Sequence, residues 1–149
     1  MIKNTEFIWD EEEKIAQCVL LDDKGNKSIG IAICHEDDYD MISQKTGQEI
    51  AYFRAKIEYL RNIRDNDLLP RLNALKQLYY SMKHSTHFNP KSYENKMLQR
   101  QIHLIEFDLA TIKEIIAMER KSLKAFIDDK DKLYKSVRKH RAIGKEGQN

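Results

Sequence analysis

The densest set of chemically capable side chains is Cys34-His35 followed by Asp37 and Asp38, offering soft and hard metal donors within five residues. A structural zinc site needs a second pair of Cys or His at matched spacing, and none follows. His84 and His87 are three apart but lie in a polar stretch with no neighbouring acid. Nucleophilic catalysis by Cys18 or Cys34 fits no better. Strand-like alternation places one or both inside a sheet, where cysteine is usually a small, inert apolar residue. Glu11, Glu12 and Glu13 crowd a turn and do not form a spaced acid–base pair. There is no nucleophile elbow, P-loop or dinucleotide fingerprint. The expectation is a protein that is not an enzyme and has no catalytic residue, metal or cofactor.

Two basic groups suggest binding. Between residues 130 and 145, Lys130, Lys132, Lys135, Arg138, Lys139, Arg141 and Lys145 face one acid, Asp131. Lys135, Arg138, Lys139 and Arg141 are the candidate contacts to nucleic acid or another anion, since a basic helix end can lie along phosphates. Cations also gather at helix C-termini because the helix dipole favours them, and Leu133 and Val137 still follow an apolar stripe. The second group is Arg54, Arg61 and Arg64, spaced seven and three, with Arg71 beyond. It could hold an anionic ligand between protomers, or simply pair with acids nearby.

These groups must be positioned by elements that the rest of the chain defines. The 149 residues are 41% hydrophobic and 34% charged, with five Gly and two Pro. That balance suits long helices with narrow apolar stripes. The net charge of +2 hides an asymmetry: residues 1–49 hold five Lys and twelve acids, and the remainder is correspondingly basic. Such polarity steers association, including that of two copies front to back. Two cysteines are too few for a disulfide framework. No apolar run reaches the roughly 18 residues needed to cross a membrane, and Met1 to Asp10 does not read as a secretory signal. A cytoplasmic protein with free thiols and no membrane contact is expected.

The fold class expected is α+β and predominantly helical, in one domain. Thr5–Trp9, Lys14–Leu21 and Lys27–Cys34 read as an antiparallel β-meander within residues 1–38, with Asp22 to Asn26 as a turn. Gly30 predicts a bulge or a close neighbour. The acids around Asp37 to Asp40 would cap a helix from about Asp40 to Asn66, and Gly47 would let a strand approach it. Pro70 predicts a restart capped by Asn66 or Asp67, giving helices over 39–84. Asn89-Pro90 is the clearest helix start, opening a long amphipathic helix over 89–143, with 144–149 a frayed tail.

From Leu98, alternate steps of four and three give Ile102, Ile105, Leu109, Ile112, Ile116, Glu119, Leu123, Phe126, Lys130, Leu133 and Val137. Ten of these twelve positions are apolar. The repeat spans roughly 40 residues, or about 60 Å of helix. It predicts a helical hairpin or coiled coil, with Leu98, Ile102, Ile105, Leu109, Ile112, Ile116, Leu123 and Phe126 as the self-association or partner face. A homo-oligomer, with a dimer favoured, is expected through it.

Ser28-Ile29-Gly30-Ile31-Ala32-Ile33-Cys34-His35-Glu36-Asp37-Asp38-Tyr39-Asp40, with Gly47-Gln48-Glu49-Ile50-Ala51 and Arg54-Ala55, resembles small proteins carried by phages and prophages of Gram-positive bacteria. In those, a hairpin leads to a helix bearing Gly, Ala and an Arg-Ala pair. His35-Glu36 stands where they often have proline, so a different turn is expected here. The resemblance implies no particular chemistry. It implies an accessory phage product, a class rich in proteins that bind host machinery, including inhibitors of defence enzymes. The functional expectation is a protein-binding accessory protein, with nucleic-acid binding through the basic end as the alternative and anion capture as a third reading.

Overall fold

The computed structural model describes residues 1–33, 44–85 and 87–146, with the backbone alone at 138 and 140–146. Strands β1 (Ile2–Asp10), β2 (Ile15–Asp22) and β3 (Lys27–Ile33) form an antiparallel sheet in chain order. Helix α1 (Gln44–Ile63) follows. A five-residue π turn (Arg64–Leu68) joins it to α2 (Leu69–Lys83), and α3 (Tyr93–Glu146) ends the described chain. An α+β chain with its sheet ahead of its helices is what the sequence predicts. The Cys34, Asp37 and Asp38 group and the expected acidic cap near Asp40 lie outside the described residues.

The turns follow from their side chains. Asp10 Oδ1 accepts the backbone N–H groups of Glu12 and Glu13 at 3.0 and 3.1 Å, closing the β1–β2 corner. Asp22 Oδ1 accepts those of Lys24 and Asn26 at 2.9 and 2.8 Å. Gly25 supplies the positive φ of +85° that this second turn needs. Register then aligns Phe7 with Cys18 and Gly30, and Trp9 with Ala16 and Ala32.

The chain comprises two compact units, residues 1–59 with 118–149, and residues 60–117. In the first, small side chains make the helix–sheet contact. Gly47, Ala51 and Ala55 recur every fourth residue along α1, and all three are buried. They meet Ala16, Cys18, Leu20 and Ala32, with Trp9, Ile2, Ile50 and Tyr59 around the rim. A Cβ at Gly47 would lie 3.1 Å from Ala16 Cβ. Gly30 is in regular register with Cys18, with no bulge, so of its two expected roles it takes that of the close neighbour. Arg54 Nη1 donates to the Ile31 carbonyl at 2.7 Å, tying α1 to β3. The last part of α3 adds Phe126, whose ring stands 5.9 Å from that of Phe53. Lys56 pairs with Glu119 at 3.3 Å and lies 4.7 Å from the Phe53 ring centre.

The core of the second unit is Leu68, Leu72, Leu98, Ile102 and Ile105, with Leu75, Tyr79, Met82, Leu109 and Ile112 packed against it. Gln99 Nε2 donates to Tyr79 Oη at 3.1 Å, and Lys76 pairs with Glu106 at 3.4 Å. Later positions in α2 thus meet earlier ones in α3, so the two run antiparallel.

Three boundaries differ from expectation. No side-chain cap forms at Asn66 or Asp67. Ile63 and Leu69 both keep right-handed helical angles, and the Leu69 N–H donates to the Arg64 carbonyl, five residues back. In a regular α-helix the ring of Pro70 would strike the carbonyl four residues before it; the extra residue of the π turn relieves this without ending the helix. At the third helix, Asn89-Pro90 makes a preceding turn, and Ser92 is the cap. Ser92 Oγ accepts the Asn95 N–H at 3.3 Å, whereas Asn89 Oδ1 accepts that of Lys91 at 3.0 Å. Finally, the helical backbone continues through Gly144 to Glu146, since one glycine near a helix end costs only about 1 kcal/mol.

Candidate functional site

The stripe expected to bind a partner is occupied within the chain. Leu98, Ile102, Ile105 and Ile116 are buried, and Leu109 and Ile112 pack on the same core as Leu72. Leu123 and Phe126 are half-buried, the latter beside Phe53. These side chains hold the fold together.

The opposite side of α3 carries a second stripe that sequence reading missed. Leu104, Phe107 and Ile115 are 55%, 69% and 38% exposed. With Thr111 they step by three, four and four residues, so they share one face of the helix. Thr111 Oγ1 donates to the Phe107 carbonyl at 3.0 Å, which satisfies the hydroxyl within the stripe. Arg100 and Glu114 flank it, both exposed. The signal was legible in the sequence, but Asp108 interrupts this row whereas the first stripe runs almost unbroken.

The arginines are already engaged. Arg54 binds the Ile31 carbonyl. Arg64 binds Asp65 at 2.7 and 3.2 Å; that hydrogen bond raises the Arg64 pKa and lowers the Asp65 pKa. Arg61 also has an interaction partner, and Arg71 pairs with Asp67 at 3.7 Å. At the basic end, Lys135 pairs with Asp131 at 3.2 Å, Lys130 lies 5.5 Å from the Phe126 ring centre, and Lys139 is exposed. The side chains of Arg138 and Arg141 lie outside the described residues.

The remaining candidates for chemistry are the histidines and Cys18 among the described residues. No group of three or more His, Cys, Asp or Glu is placed to hold a metal ion there. His84 stands edge-on to Tyr80 at 4.4 Å. Burial raises the pKa of the Cys18 thiol, which disfavours the reactive thiolate. No described helix is long and apolar enough to cross a membrane. Comparisons with protein-family models, curated proteins and solved structures gave no match. The class is therefore defined by the fold alone: an α+β chain whose long last helix carries one apolar face inward and one outward.

Proposed function

We propose that this chain is a non-enzymatic, phage-type accessory protein that acts by binding another protein through α3, in the manner of an inhibitor of a host or defence enzyme. The observation behind this reading is the outward stripe of Leu104, Phe107 and Ile115. A soluble helix ordinarily keeps such side chains inward, and contiguous exposed apolar surface marks sites of interaction. Phe107 is the natural anchor, since large aromatic residues dominate interface energetics. The partner in this reading offers an apolar groove that accepts one helix face, read at steps of three and four residues. The resemblance of residues 28–55 to phage and prophage proteins supports the accessory role.

Affinity capture with the tagged chain from a nuclease-treated bacterial lysate, repeated with Phe107→Glu, tests the proposal. One protein retained by the native chain, lost with Phe107→Glu and kept when Lys135, Arg138, Lys139 and Arg141 are replaced by Ala supports it. Recovery that disappears with nuclease, or with the four alanines alone, transfers the function to nucleic acid and the basic end. Binding through phosphates would then fall steeply with salt.

A further inference from the structure

The sheet has two apolar faces, and the helix covers one of them. Alternation along β2 turns Ala16, Cys18 and Leu20 toward α1, where each is buried. The other set is Ile15, Gln17, Val19 and Leu21. On β3 the outward set is Lys27, Ile29, Ile31 and Ile33, and the three isoleucines are 44%, 46% and 71% exposed. Ile8 on β1 is 45% exposed on the same face. An antiparallel sheet with one wet face normally alternates apolar and polar residues. Strands apolar on both sides belong to sheets covered on both sides.

We propose that this outer face is covered by the same face of a second copy, making a two-fold dimer of sheets. The charges at its borders are self-complementary. Glu6 lies on the outer face of β1, and Lys27 on that of β3, two residue pairs away along the ladder. A two-fold axis along β2 sets each β1 over the partner's β3. Ile8 then meets the partner's Ile31, and Glu6 comes within reach of the partner's Lys27, twice by symmetry. Such isologous packing of sheets, roughly 10 Å apart, is the ordinary geometry of a β-sandwich.

The area sets the strength. Three strands at a spacing of about 4.8 Å and some seven residues at about 3.4 Å give a footprint of roughly 350 Å² per copy. That is about half a standard interface. The dimer is therefore a reversible one, with dissociation in the micromolar range or weaker, of order 10⁻⁶–10⁻⁴ M.

Sedimentation velocity on the full chain from about 1 µM to about 1 mM tests this. The native chain is expected to pass from monomer to dimer across that range. Ile29→Lys and Ile31→Lys are each expected to weaken association by about tenfold or more. Far-UV circular dichroism and the melting temperature, followed in parallel, are expected to stay unchanged, since lysine is well tolerated on an exposed strand. Glu6→Lys should weaken the dimer, and Glu6→Lys with Lys27→Glu should restore it. Monomer at every concentration overturns the proposal. So does a dimer that survives both isoleucine substitutions, or one lost only with Phe107→Glu, which would put the second copy on α3.

Discussion

Gly30 of β3 lies so close under Ala51 of α1 that a Cβ on the glycine would overlap the Ala51 carbonyl oxygen and the Ala55 nitrogen. Both obstructing atoms are backbone, so neither can swing aside. Gly30→Ala is expected to destabilise the protein by about 3 kcal/mol, the upper part of the range for overpacking a tight contact. Gly25→Ala makes the informative comparison: nothing lies within 4 Å of its added Cβ, but φ is +85°, so the cost is backbone strain of about 1 kcal/mol. Urea denaturation of the two variants separates steric overlap from strain, and equal losses would contradict the close approach.

The two faces of α3 make opposite predictions for the same kind of change. Ile102 is 8% exposed, beside its core neighbours Leu98 and Ile105 at 8% and 5%, so Ile102→Ala should cost about 2–4 kcal/mol through lost burial and a cavity. Phe107 is 69% exposed, and Phe107→Ala should change stability by no more than about 0.5 kcal/mol. Denaturation midpoints would measure both. A large loss at Phe107 would mean that its face is already covered in the isolated chain.

Much of this architecture is visible in the residues themselves. The three strands and their turns are marked by Asp10, Asp22 and Gly25, whose local hydrogen bonds or backbone freedom act without help from distant parts. The apolar repeat from Leu98 marks the long helix for the same reason. What covers that repeat is a tertiary fact. The steps from Leu98 to Ile112 suit another chain or this chain's own Leu68 and Leu72 equally well, and only the folded chain decides between them. The passage through Pro70 was illegible because a π turn depends on one extra residue in the hydrogen-bond ladder. The stripe containing Phe107 could be read once the first stripe was known to be satisfied internally.

Acid should act measurably on one corner of the sheet. Lys14 Nζ hydrogen-bonds Glu11 Oε1 at 2.6 Å, and the Trp9 indole N–H donates to Oε2. The Lys14 hydrogen bond first, then that of Trp9, hold the Glu11 carboxyl below its ordinary range. A carboxyl with a lowered folded pKa stabilises the fold above its unfolded pKa, and that contribution is lost as pH falls through the folded value. In an NMR titration Glu11 should therefore have a lower midpoint in the native chain than in the urea-unfolded chain. Lys14→Met should raise that midpoint toward the unfolded one. An unchanged midpoint would show that the pair does not persist in solution.

Cys18 reports on the contact between α1 and the sheet. Its side chain is fully buried among Ala16, Leu20, Ala51 and Ala55, and burial raises its pKa. Both effects slow thiol chemistry, because the reagent must reach the sulfur and the thiolate is the nucleophile. In a Cys34→Ser background, Cys18 is the sole thiol. It should react with an aromatic disulfide reagent only when α1 lifts from the sheet or the chain unfolds. The native rate should therefore fall below the unfolded rate by the opening equilibrium constant, a factor of at least about 10³ if opening is global. Gly30→Ala should accelerate this reaction about tenfold for each 1.4 kcal/mol of stability lost, about a hundredfold for about 3 kcal/mol, whereas Phe107→Ala should leave it unchanged. Immediate reaction in the native chain would contradict the tight packing of small residues that joins α1 to the sheet.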